Sequence, residues 1–78
     1  MDYYTPTIND TFNAMVDSVN LIDQLVANNV RSLDVYDTLD RNYRHLEFML
    51  TRPEIIADGR DLQGFIDAIT LGRDFTGL

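Results

Sequence analysis

The chain has 78 residues, with 13 acidic against 6 basic side chains, a formal net charge of -7, a pI near 4.2 and neither cysteine nor tryptophan. That length holds one small domain, and 45% hydrophobic with 24% charged residues is an ordinary globular balance that argues against wholesale disorder. Without Cys there is no disulfide framework or zinc–thiolate site, and six scattered Arg without any Lys make a poor phosphate-tracking footprint, which excludes direct nucleic-acid binding from the leading readings.

Residues 1–7 read as an extended arm, because Pro6 disfavours the helical region at Thr5 and nothing before it is periodic. Residues 8–78 are expected to form a single small helical domain. Thr7 is the N-cap expected for the first helix, with Asp10 in its first turn, where the helix dipole favours negative charge. Ile8, Phe12, Met15, Val19, Ile22 and Val26 then repeat at spacings of four and three, a heptad stripe widened by Val16, Leu21 and Leu25. Two uses of that stripe are open, the core of a bundle and an intermolecular coiled coil.

Asn28-Asn29 ends the first helix, since Asn tolerates the left-handed cap conformation. Ser32 is placed to cap the second, whose apolar series is Tyr36, Leu39, Tyr43, Leu46 and Leu50, broadened by Val35 and Met49. Asp37 with Arg41 and Asp40 with Arg44 are i, i+4 pairs on its outer face. Thr51-Arg52-Pro53-Glu54 has the spacing of a capping box and starts a short helix that stops at Asp58-Gly59. Asp61 is expected to cap a last helix with Leu62, Phe65, Ile66 and Ile69 on one face, closed by Gly72 and Arg73, after which Phe75 and Leu78 fold back. The whole is all-α: a small helical bundle in which an antiparallel pair of longer helices carries two short C-terminal helices.

Catalysis lacks a constellation. Ser18 and Ser32 have no His nearby in sequence, and His45 has Arg41, Asn42, Phe48 and Met49 at the positions where a helical metal site needs its second ligand. Asp58-Gly59-Arg60-Asp61 lacks the alternating oxygens of a calcium loop, and the four glycines form no phosphate loop. No enzyme activity, metal, cofactor or small-molecule substrate is therefore expected. Gly64, inside the last helix, costs about 1 kcal/mol against Ala and points to a close approach by the second helix or a partner. Tyr3 and Tyr4 have no local purpose and are candidate anchors for a neighbour. Asp34, Asp37 and Asp40, at helical spacing, raise the possibility of acidic nucleic-acid mimicry.

The string Asn42-Tyr43-Arg44-His45-Leu46-Glu47-Phe48-Met49-Leu50, followed by Gly59-Arg60-Asp61-Leu62-Gln63-Gly64-Phe65-Ile66-Asp67-Ala68-Ile69-Thr70-Leu71-Gly72, resembles a group of small proteins of marine tailed phages and some bacteria. Their shared ending reads roughly Asn-x-x-His-Leu-Glu-x-Met-Leu, then Asp-Leu-x-x-Phe-x-x-Ala-Ile-x-x-Gly. Thr51-Arg52-Pro53 departs from the Ala-Lys-Asp-like segment common there. The resemblance implies a folding unit and no activity. Read physically, His45, Glu47 and Asp61, with Gly64, are structural residues of the junction between the second and last helices, and His45 is expected to bond across it.

The functional expectation is a non-enzymatic protein–protein interaction module: a phage structural or assembly component, or alternatively an early protein that modulates a host factor. A protein partner, or a second copy, is expected on Tyr3, Tyr4, Phe12, Met15, Val19, Ile22 and Val26. No run reaches the roughly 18 apolar residues of a membrane span. The start of the chain lacks a basic, cleavable leader, so residence in a host or bacterial cytoplasm, with incorporation in a phage particle as an option, is the expectation.

Overall fold

The computed structural model describes residues 7–77 as four helices: α1 (Ile8–Asn28), α2 (Leu33–Leu50), α3 (Pro53–Asp58) and α4 (Gln63–Thr76). No strand occurs among the described residues. The arm residues Tyr3 and Tyr4, and Leu78, lie outside them.

The starts of α1 and α2 are set by side-chain caps. The Thr7 hydroxyl accepts the Asp10 N–H at 3.1 Å while the Asp10 carboxylate accepts the Thr7 N–H at 3.2 Å, a reciprocal box that satisfies two donors no helical carbonyl can reach. Ser32 Oγ accepts the Val35 N–H at 3.2 Å and opens α2 in the same way. Asn29 ends α1 in the left-handed region at φ 53°, and the chain turns through a short connection into α2.

Three helices enclose the core. α1, α2 and α4 contact one another pairwise, and α3 contacts α2. Phe12, Met15 and Ile22 from α1, Leu39, Tyr43 and Leu46 from α2, Ile55 from α3, and Ala68 and Phe75 from α4 form one buried cluster. Ile8, Val19, Val26, Tyr36 and Leu50 complete the two apolar stripes at its margin. Each fully buried Met, Leu or Ile contributes roughly 1.5–3 kcal/mol by leaving water, which is how so short a chain offsets its backbone entropy. Val16 and Ile66 lie outside this core, 44% and 45% exposed, because their positions on the helix turn them past the contact with the neighbouring helix.

The C-terminal part departs from the expected boundaries. Thr51 does not cap α3: it sits in the right-handed region at the end of α2 and its hydroxyl donates back to the Phe48 carbonyl at 2.6 Å. Arg52 holds the N-cap position of α3 without a side-chain cap bond, and Glu54 pairs with the Arg52 guanidinium at 2.6 Å. α3 stops as expected at Gly59, where φ is 80°. Asp61 acts one residue earlier than a standard cap, its carboxylate accepting the Gln63 N–H at 3.0 Å while Leu62 occupies the N-cap position.

α4 is the largest correction. It runs 14 residues, past Gly72 and Arg73, and closes at Gly77 with φ 68°, so Phe75 is part of the helix and not of a returning tail. The expected two long and two short helices are thus three core helices and one short one. Gly72 is the reason α4 and α2 come close, since a Cβ there would lie 3.1 Å from Tyr43 Cδ2 and 3.7 Å from Ile22 Cγ2. The close approach expected at Gly64 is absent, with nothing within 4 Å of the space its Cβ would fill. Gly64→Ala is therefore expected to stabilise the fold by about 0.4–1 kcal/mol, by narrowing the unfolded ensemble and favouring the helix. A thermal melt checks this, with an expected rise of roughly 2–6 °C and an unchanged circular dichroism spectrum.

Candidate binding surface

The basic residues explain the surface. Each of the six Arg is engaged within the chain. Arg31, in the α1–α2 connection, donates to the Phe75 carbonyl in the last turn of α4 at 2.8 Å and lies 4.2 Å over the Phe75 ring. A cation there meets the negative end of the helix and one of its unpaired carbonyls. Arg60 pairs with Asp58 at 2.7 Å, donates to Asn9 and lies 4.2 Å over Phe12, tying the α3–α4 connection to the start of α1. Arg73 pairs with Glu47 and lies 5.1 Å from the Tyr43 ring, and Arg52 lies 5.7 Å from Phe48. Arg44 and Arg41 pair with Asp40 at 2.9 Å and Asp37 at 3.5 Å. At Arg31, Arg52, Arg60 and Arg73 a planar guanidinium lies on a ring while its N–H groups reach a carboxylate or carbonyl, a combination a Lys ammonium does not match.

The carboxylates are left in excess. Asp17, Asp23, Asp34, Asp61, Asp67 and Asp74 have no cationic partner among the described residues. Asp61 and Asp67 accept only neutral donors, both from Gln63. Two open grooves carry such groups. One, about 630 Å³, lies along the start of α2 beside Thr76 and is lined by Leu33, Tyr36, Asp34, Asp37 and Asp40. There Leu33 is 84% exposed, but Asp37 and Asp40 are already paired with Arg. The other, about 340 Å³, runs between α1 and α4 and is lined by Val19, Asp23, Gly64, Asp67, Ala68 and Leu71. No basic residue lines it.

Asp40 joins packing to charge. Its carboxylate accepts the Tyr43 hydroxyl and then the Arg44 guanidinium, and these hydrogen bonds hold its pKa below the usual carboxylate value. The same bond holds the Tyr43 phenol protonated above its ordinary range, with burial of the ring acting in the same direction. A depressed folded pKa contributes stability above the unfolded value of about 3.9, and that stability is lost as the pH falls through the lower folded value. The melting temperature of Asp40→Asn is thus expected to lie below that of the parent chain at neutral pH. The gap closes at acidic pH, below about 3.9, and melts across pH check this.

The other candidate residues divide. Glu47 bridges α2 and α4 through Arg73, as a junction residue should. The His45 side chain is exposed and makes no hydrogen bond among the described residues, so it does not bond across that junction. Phe12, Met15 and Ile22 are buried inside this chain and are not presented to a partner, while Val19 and Val26 are half-buried at the edge of the same core. Ser32 is occupied as a cap, and no group of three or more His, Cys, Asp or Glu placed to hold a metal ion occurs among the described residues. No helix of the described residues is long and apolar enough to cross a membrane.

Comparison with protein-family models, with curated proteins and with solved structures finds no match to this chain. The sequence pattern did not expose the long-range Arg contacts, because Arg31 with Phe75 and Arg60 with Asn9 are separated by 44 and 51 residues. The one available signal was compositional, six Arg without Lys beside eight Phe and Tyr, four of each.

Proposed function

We propose that this chain is a non-enzymatic binding module that captures a basic protein partner through its uncompensated carboxylates. One observation carries the reading: every Arg is engaged with another group of this chain, so among the described residues no unpaired Arg offsets the carboxylates that lack a cationic partner. Such a surface raises the encounter rate with a cationic partner and repels a second copy of itself. Self-association through α1 is the weaker reading, because the apolar side chains it needs are covered by α2 and α4.

The resemblance of the region 42–72 to small proteins of marine tailed phages and some bacteria supports placing the module among phage proteins made in a host cytoplasm. Of the two phage roles, an early protein that binds and modulates a host factor fits the charge better than a particle component built from copies of this chain. Mimicry of nucleic acid by Asp34, Asp37 and Asp40 is not part of the reading, since two of those three carboxylates are neutralised by Arg41 and Arg44.

Affinity capture from extract at low salt, with elution by rising salt, tests this. The expected result is a basic protein retained at about 0.05 M salt and released well before about 1 M, where the screening length falls to about 3 Å. Retention of an acidic partner, or binding indifferent to salt, would overturn it.

A further inference from the structure

The groove between α1 and α4 differs from the rest of the surface in three respects. Its floor is made of Gly64 and Ala68, small residues one turn apart on α4, and its apolar walls are Val19 and Leu71. Val16, one turn before Val19 on α1, adds an exposed apolar side chain on the same flank. Its polar margin is Asp23 on one helix and Asp67 on the other, neither with a cationic partner among the described residues. Gly64 has no internal reason to be glycine, since its φ is not positive and its missing Cβ faces open space. The close contact that would explain a glycine inside a helix is absent within the chain and available only from outside it.

We propose that this groove receives one basic amphipathic helix of a partner protein. Its apolar stripe lies over Gly64, Ala68, Val19 and Leu71, and its Lys or Arg side chains straddle the stripe to reach Asp23 and Asp67. The groove between two packed helices accepts a third helix by ridge-into-groove packing, and the missing side chain at Gly64 lets the incoming helix sit close. Charge complementarity selects the occupant. A second copy of this chain has no free Arg to offer, whereas a cationic helix meets two carboxylates that nothing in the chain neutralises. This rests on the proposed function above and assigns it a site.

The probe is a synthetic helical peptide of Leu and Lys, with Leu at i, i+3, i+4 and i+7 and Lys on both flanks, titrated into the full chain at low salt. Isothermal calorimetry measures affinity, and amide shifts locate the contact. Binding is expected to perturb Val19, Asp23, Gly64, Asp67, Ala68 and Leu71. Gly64→Leu fills the groove without meeting any atom of its own chain at Cβ, and is expected to weaken the peptide by about tenfold or more through steric exclusion. Asp23→Asn with Asp67→Asn is expected to cost about tenfold at low salt, while Asp34→Asn with Asp74→Asn costs no more than about threefold.

Peptide binding that survives Gly64→Leu and the Asp23/Asp67 pair alike, or shifts confined to the Leu33–Asp40 groove, overturns the site while leaving capture of a basic partner standing. Absence of peptide binding to the parent chain at low salt overturns both. A dimer of the parent chain that Gly64→Leu dissociates puts a second copy in the groove and overturns the choice of occupant.

Discussion

Ile22→Asp is expected to abolish the folded state. Ile22 has no exposed surface and faces Gly72, so a carboxylate placed there has neither water nor a cation to meet. Burying an unpaired charge costs several kcal/mol, and loss of the Ile side chain adds roughly 2–5 kcal/mol, against a net stability of about 3–5 kcal/mol for a core of this size. Circular dichroism at room temperature checks it: helical signal is lost and no cooperative melt remains. Val16→Asp is the matched control, one helix and 44% exposed, and is expected to melt close to the parent chain. A folded Ile22→Asp with unchanged melting and unchanged mass would mean that the stripe is not the core.

Gly72→Leu is expected to be the most damaging substitution that introduces no polar group. The first added carbon already lies 3.1 Å from the Tyr43 ring, and three more carbons must enter the space where α2 and α4 touch. Overpacking of this kind costs about 1–3 kcal/mol, and the upper end is expected because Tyr43 is fixed by packing and by its bond to Asp40. The predicted fall in melting temperature is about 10–20 °C. A second change, Tyr43→Val, removes the ring that the new side chain meets. The double variant is expected to be less destabilised than the sum of its singles by about 1 kcal/mol or more, a coupling that two independent sites would not show. Gly64→Leu, with open space around its Cβ, is expected to lack this penalty.

The two glycines also show where local reading of the sequence ends. A glycine within a helix signals a close approach, but propensity is blind to which glycine another element meets. Gly64 draws the inference because glycine inside a helix costs stability against Ala, and Gly72 reads as a terminator. In the folded chain the helix continues through Gly72 because its lack of a side chain admits Tyr43, and the true terminator is Gly77. Elements whose signals lie within one turn were legible: Thr7 with Asp10, Ser32, Asn29 and Gly59 all act at the ends they mark. Thr51 was not, because its hydroxyl has two backbone groups within reach and the carbonyl behind it wins over the N–H ahead.

The candidate surface was less visible than the fold. The stripe Phe12, Met15, Val19, Ile22 and Val26 has the same spacing whether it serves the chain's own core or a partner. Only the positions of α2 and α4 decide, and they place Phe12, Met15 and Ile22 inside with Val19 and Val26 at the margin. The α1–α4 groove depends on Asp23 and Asp67 coming to one margin, a juxtaposition with no trace in local sequence. The excess of negative charge was legible in the composition. That Arg31 neutralises no carboxylate, being held by the Phe75 ring and carbonyl, follows from contacts that exist only in the folded molecule.

The most direct test of the account is the solution mass of the purified chain by light scattering, across concentration and at low and high salt. A molecule whose first helix turns Phe12, Met15 and Ile22 into its own core and whose carboxylates are in excess is predicted to remain a monomer of 9.0 kDa in every condition. A stable oligomer at low salt would contradict it, since that would require the first helix, or a surface made here of uncompensated carboxylates, to bind its own copy.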